Sequence, residues 1–331
     1  MVDLYWKSGI ASLLLILTGN SQAMSNNTKF DWRATESAPQ HYPMEVIQGK
    51  FYFHGSNKGV SIPSGGTLSA GWGQGISNHH LGAGPQDLPD RLKIIYFSYA
   101  EKEFYMGDFE LPYEKIIELF QDGVINPRVY PNGKSLPIYT KMMVGIAPGG
   151  EVSVWVSGQR IIEVFFGKAE KIKLDPGKAF DLPFKSQQAA TDYINKQLIN
   201  TLKPEELDSL KNHGIPFGLW SRYRKQFNYA PIASVGNSIQ NLDAVFLNGE
   251  FYGEWDFSKK KEEAVNLPVP ASVSFRSSDR TLYEIKFDEF EIMDAFEKLG
   301  SKGKKIFIEF DPHLPRTKIK IRVFNDEESI Q

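Results

Sequence analysis

Residues 92–110 read Leu-Lys-Ile-Ile-Tyr-Phe-Ser-Tyr-Ala-Glu-Lys-Glu-Phe-Tyr-Met-Gly-Asp-Phe-Glu, and residues 272–288 read Ser-Val-Ser-Phe-Arg-Ser-Ser-Asp-Arg-Thr-Leu-Tyr-Glu-Ile-Lys-Phe-Asp. Each stretch is a β-type run, a polar break and a second β-type run, the pattern of a hairpin. Phe97, Tyr105 and Phe109 of the first share their spacing with Phe275, Tyr283 and Phe287 of the second. A hairpin written twice suggests a unit written twice, so the comparison extends outward in both directions.

Downstream, each hairpin runs into a helical pattern. Pro112 suits an opening turn and Ile116, Ile117 and Phe120 fall on one face; in the second copy Met293, Phe296 and Leu299 do so before Gly300. Two more strands follow each helix, Met143 to Ala147 with Val152 to Val156, and Lys305 to Phe310 with Lys318 to Phe324. Upstream, Phe30-Asp-Trp32 and Gly49-Lys-Phe-Tyr52 are echoed by Phe227-Asn-Tyr229 and Gly249-Glu-Phe-Tyr252. The expected fold is therefore α+β: two tandem related units, each an antiparallel β-sheet with a helix packed on one face. The first unit covers 30–226 and the shorter second one 227–331. The first also carries a Gly-rich loop between Asn57 and Leu88 and a helical appendix. In that appendix Ser186 to Leu202 and Pro204 to Asn212 are predicted helices. A third, Leu219 to Phe227, sets Trp220, Tyr223 and Phe227 on one face for packing between the units.

Composition narrows function by exclusion. The chain has 331 residues, 38 basic against 40 acidic, and a formal charge of -2. No basic field marks a nucleic-acid partner. With no cysteine, disulfides, thiolate metal sites and cysteine nucleophiles are ruled out.

The first 23 residues read as an export signal. Lys7 precedes the apolar run Ile10 to Leu17, and Ser21-Gln-Ala23 supplies small residues for cleavage. Leu17-Thr18-Gly19 also resembles the end of a lipoprotein signal, where an acylated cysteine should follow; Asn20 stands there instead. Either Asn20 replaces that cysteine, or the chain is cleaved after Ala23 and released. Both readings place the folded part in the periplasm, with membrane contact only through a lipid anchor if residue 20 is natively cysteine.

No constellation of residues spells out a reaction. Gly133-Lys134-Ser135 lacks the upstream glycine of a phosphate loop, whose place is taken by Arg128. Adjacent His79 and His80 point to opposite faces of an extended chain and so do not chelate one ion together. Asp108/Glu110 and Glu309/Asp311 are same-face carboxylate pairs that suit the wet face of a sheet, although joining Asp108 or Glu110 to His54 in a pocket would revive an enzyme. No catalytic, cofactor or metal residue is assigned. Recognition is expected of the aromatic and polar residues on and near the long loop: Trp72, Gln74, Asn78, His79 and His80, with Tyr105 and Tyr130 as further contacts.

An ordered set of landmarks then resembles a known family. These are Ala38-Pro-Gln-His-Tyr-Pro-Met-Glu-Val46, Gly71-Trp-Gly-Gln-Gly75, Leu88-Pro-Asp-Arg-Leu92, Val144-Gly-Ile-Ala-Pro-Gly-Gly150 and Ile215-Pro-Phe-Gly-Leu-Trp-Ser-Arg-Tyr223. Together they resemble the bacterial lipoproteins grouped as domain of unknown function 2931, over residues 30 to about 227. That family has no assigned catalytic residues, and its members are often encoded among type VI secretion genes beside toxic effectors that include phospholipases. The resemblance implies a periplasmic immunity protein that binds a delivered toxin and occludes it. The alternative is an envelope protein that holds a glycan or lipid between its two units.

Overall fold

The computed structural model describes residues 27–77, 84–125, 128–129, 135–234, 239–255, 264–277, 280–311 and 319–330. The expected export segment 1–23 lies outside the described residues.

Strand pairing in the first half begins with β1 (Arg33–Ser37), β2 (Met44–Phe53) and β3 (Gly59–Ser61). Then come the hairpin strands β4 (Pro89–Ser98) and β5 (Glu103–Glu110), helix α1 (Tyr113–Ile125), and β6 (Tyr139–Ile146), β7 (Glu151–Gly158), β8 (Ile161–Lys168) and β9 (Glu170–Ile172). β2 pairs antiparallel with β3 and β4, and β4 with β5. β1 instead runs parallel to β6, which pairs antiparallel with β7, and β7 with β8. The chain thus leaves β1, builds a meander in a second sheet, and returns through α1 to lie beside β1, the long crossover that a parallel pair requires.

The second half consists of β10 (Gln226–Ala233), β11 (Ile239–Phe246), β12 (Phe251–Trp255), β13 (Val265–Pro268), β14 (Pro270–Ser277), β15 (Leu282–Lys286), α5 (Glu289–Leu299), β16 (Ile306–Asp311), β17 (Lys320–Phe324) and β18 (Ser329–Ile330). Its pairings follow the same order: β11 with β12 and β14, β14 with β15, β10 parallel to β16, β16 with β17, and β17 with β18. The cross-strand pairs Tyr96–Tyr105 and Phe275–Tyr283 both stack, at 5.3 Å and 5.4 Å between ring centroids. Tyr283 therefore occupies the hairpin place of Tyr105, as the spacing suggested, but Phe275 takes that of Tyr96 rather than Phe97. The stacked pair is eight positions apart in the second hairpin and nine in the first, and this one-residue shortening shifts the apparent match by one.

The structure is mixed α+β, mostly antiparallel, with few helices. One antiparallel sheet per unit is not what forms. Each half is built on two sheets, and one of them is shared: the order β1-β6-β7-β8-β12-β11-β14-β15 makes an eight-stranded sheet through both halves. It is joined at the single pair Ile161–Phe251. The first core lies between this sheet and β9-β5-β4-β2-β3, the second between it and β13-β10-β16-β17-β18. Burying apolar side chains on two facing sheets closes each core, which one sheet and one helix would leave half open.

The helices form where capping and periodicity favour them. Pro112 precedes α1, whose Ile116, Ile117 and Phe120 are buried. Asp288 caps α5 by accepting from the Phe290 and Glu291 N–H groups, and Ile292, Met293, Phe296 and Leu299 enter the second core. In the appendix, Ser186 caps α2 (Gln187–Thr201), and α3 (Pro204–His213) ends at Gly214. The predicted helix over 219–227 shrinks to one turn, α4 (Leu219–Arg222). Gln226 already pairs with Pro268 in β10, so Phe227 sits on a strand, apart from the helical face of Trp220 and Tyr223. The sheet's hydrogen bonds outweigh the helical periodicity there.

Candidate functional site

The site grows from the seam between the halves. β1 is the outermost strand of the shared sheet, and the Gly-rich loop runs along its edge: Gly71 bridges Ala38, and Ile76 donates its N–H to the Glu36 carbonyl at 3.1 Å. That course carries Gly73 onto Gly249 in the turn between β11 and β12. A Cβ on Gly73 would lie 2.4 Å from the Gly249 backbone, and both glycines hold positive φ, 76° and 84°. Only glycine permits this approach at these dihedrals.

Aromatic side chains fill the space beside the glycine contact. Trp72 meets Trp155 edge-on at 5.0 Å and Trp220 at 6.1 Å, and Tyr42 meets Trp220 at 5.6 Å. The indole N–H of Trp155 donates to the Asn248 carbonyl at 3.2 Å. Gly145 leaves room for the two indoles, since a Cβ there would lie 2.4 Å from Trp155 and 2.9 Å from Trp72.

Above this floor opens a cleft of about 290 Å³ bounded by both halves and by α4. Tyr42, Trp72, Trp220 and Phe287 give it an aromatic lining; Gln40, His41, Gln74, Lys286 and Glu289 give it polar groups. His41 pairs with Glu206 of α3 at 3.3 Å. Burial pushes the Glu289 carboxyl above the usual carboxylate range, against the opposing pull of the Tyr223 hydroxyl and His41. Tyr42 is likewise raised, by burial first and by the nearby Glu289 second. Phe290, 47% exposed, follows Glu289 in the chain, and exposed Ile76 follows Gln74 by two residues.

A second set of carboxylates lies deeper in the seam. Glu250 accepts the Glu163 N–H at 2.9 Å, and Glu163 accepts from Ser153 at 2.7 Å and Arg224 at 2.6 Å. Glu151 accepts the Ser221 N–H at 3.1 Å. All three carboxyls are raised, chiefly by burial. Each is engaged by groups that tie β7, β8, α4 and the β11–β12 turn together.

The residues expected to recognise a partner separate in space. Trp72 and Gln74 line the cleft, with Gln74 exposed and Trp72 partly buried among indoles. Tyr105 corrects the expectation: it is 4% exposed, stacked on Tyr96, and donates to Glu101 at 2.6 Å, so it is a core residue. Asn78, His79, His80 and Tyr130 lie outside the described residues. His54 pairs with Asp90 at 2.9 Å and stacks on Tyr113. Asp108 is engaged by Arg91 and Lys93, Glu309 by Arg322, and Asp311 by Ser234. Among the described residues no group of three His, Asp or Glu side chains is arranged to hold a metal ion, and no helix is long and apolar enough to cross a membrane.

Residues 19–218 match the family described as protein of unknown function DUF2931. The chain belongs to that family. The match stops just before α4, so this DUF2931 protein builds its cleft from both sides of the boundary: Gln40, Tyr42, Trp72 and Gln74 lie within the match, Trp220, Lys286 and Glu289 beyond it. Comparison with curated proteins and with solved structures returned no match. Sequence reasoning missed Tyr42 and Glu289. Tyr42 was visible only as part of a family landmark, and an acidic residue in a first helical turn is already accounted for by the helix dipole.

Proposed function

We propose that this DUF2931 chain is a non-enzymatic periplasmic binding protein, the immunity partner of an antibacterial effector delivered by type VI secretion, with phospholipases among the effector classes concerned. The observation that carries the reading is the cleft between the halves, lined by aromatic side chains together with polar ones. Interfaces that recognise proteins join buried aromatic anchors to a polar rim over ~1,600 Å². The engagement of the deeper carboxylates in structural bonds also favours recognition over reaction. Export rests on residues 1–23 and the immunity role on the family resemblance.

The same proposal treats the halves as two copies of one unit. Their common pairing order and the matched stacks Tyr96–Tyr105 and Phe275–Tyr283 support it. A duplicated unit brings two similar surfaces together at a seam, a favoured place for a ligand. The position of the cleft also favours the second reading, a glycan or lipid held between the halves.

Co-expression with the effector encoded beside it tests the proposal. The chain should co-purify with the effector and protect the cell, and Gln74→Arg with Lys286→Glu, both at cleft-lining positions, should abolish protection at an unchanged melting temperature. Full protection by that double variant would remove the cleft from the account. A thermal shift with cell-wall fragments or lipid, without effector binding, would establish the second reading instead.

A further inference from the structure

Glu289 opens helix α5, where the helix dipole favours an acidic side chain but supplies only a partial positive charge. Its carboxylate is half-buried in a cleft lined by Tyr42, Trp72 and Trp220, and among the described residues it forms no ion pair. Lys286 lines the same cleft but makes no ion pair with it, and His41 is committed to Glu206. The buried hydroxyl of Tyr223 faces it, a neutral group that supplies no counter-charge. A carboxylate withdrawn from water without a counter-charge is costly. Other acidic side chains of the molecule are better served: Glu297 is paired with Arg222 and Lys225, Asp108 with Arg91 and Lys93, and Glu163 with Arg224.

We infer that the cleft is a guanidinium site that receives an arginine side chain of the protein partner, with Glu289 as counter-ion and Tyr42 and Trp72 as flanking rings. Aromatic faces attract cations, and guanidinium, planar and weakly hydrated, stacks on them better than ammonium does. A cleft of about 290 Å³ accommodates one such side chain with its stem. Arginine is also among the residues that most often anchor a protein interface. An aromatic lining interleaved with polar Gln40, Gln74 and Lys286 suits a protein carrier, since protein interfaces join aromatic anchors to polar groups. The inference rests on the protein-binding reading above and specifies its chemistry.

Titration of the full chain with N-acetyl-arginine amide, followed by tryptophan fluorescence, tests the site without the partner. The neutral isostere N-acetyl-citrulline amide is the control. The arginine probe should saturate, and the citrulline probe should bind about tenfold more weakly or worse, the effect of losing one charge-assisted contact beside aromatic rings. Glu289→Gln should erase that preference with its melting temperature retained, and Tyr42→Leu should weaken the arginine probe alone. Equal binding of the two probes, or a preference that survives Glu289→Gln, overturns the inference. A chain that protects against the effector yet shows no guanidinium preference loses this inference and keeps the previous reading. A chain that prefers the arginine probe yet binds no effector keeps the site and loses the immunity role.

Discussion

Across the first hairpin Phe97 pairs with Phe104, one step along from the stacked Tyr96 and Tyr105; across the second, Arg276 pairs with Leu282 at the corresponding step from Phe275 and Tyr283. The inner pair is aromatic in both halves and faces a core. The outer pair differs. Phe97 and Phe104 are buried under Phe180, Tyr193 and Ile194 of the appendix, whereas Arg276 is exposed and Leu282 is 48% exposed. β5 is further covered by β9, while β15 ends the shared sheet. The comparison teaches that the appendix and the apolar outer face belong together. Where no appendix follows, the second hairpin carries polar residues on that face and a short, charged edge strand (Glu284, Lys286), which discourages further pairing.

The sharpest way to break this comparison is to exchange the outer pairs. Phe97→Ala should cost about 3–5 kcal/mol in chemical denaturation, as for other fully buried phenylalanines, and should expose residues 175–213 to protease. Leu282→Ala, at the corresponding face of the second half, should stay within about 0.5 kcal/mol. Equal losses at the two positions would dissolve the distinction between covered and open faces.

The next largest effect concerns the seam. Gly73→Val should cost about 2–3 kcal/mol, because its Cβ meets the Gly249 backbone at a positive φ. Gly66→Ala, with nothing within 4 Å, should leave the melting temperature unchanged. If Gly73→Val is also silent, the loop does not brace the halves.

Much of this architecture was legible in the sequence. The hairpins, α1, α5 and the capped appendix helices follow from local periodicity and cap residues, signals carried within one or two turns of chain. The shared sheet was not legible, because it depends on the Ile161–Phe251 pair and on the contact of two glycines 176 positions apart in the sequence, which leave no mark on local pattern. Of the loop residues expected to recognise a partner, Trp72 and Gln74 line the cleft. Tyr105 was misplaced for a related reason: both faces of its strand carry aromatics, so alternation alone does not say which face the appendix covers and which faces the core. Glu289 owes its setting to the packing of the second half against Tyr42 and Trp72, which no local sequence pattern records.

Smaller effects sharpen the electrostatic side of the seam. Arg222 of α4 grips Glu297 of α5 through two bonds of 3.0 and 2.8 Å, and with Lys225 it pulls the Glu297 carboxyl down to about 2. Arg222→Ala should cost about 1 kcal/mol at neutral pH and less in high salt. A depressed carboxyl contributes stability above its unfolded value of 4.5, lost as pH falls towards 2, so the variant should also show a shallower acid limb.

Glu250 has the opposite sign. Its folded pKa is raised, by burial and by Glu163, so the folded state holds its proton more tightly and stability declines as pH rises from 4.5 through the raised value. Glu250→Gln keeps an acceptor for the Glu163 N–H and should flatten that decline in pH-dependent denaturation. A slope identical to wild type would place the pH dependence elsewhere.

The central claim is that recognition takes place at the cleft where the halves meet. Hydrogen exchange of the full chain, alone and with the proposed effector partner, tests that claim most directly. New protection confined to residues 39–42, 71–77 and 286–290 is the expected result. Protection that leaves those segments unchanged and falls on the outer faces of either half would contradict it.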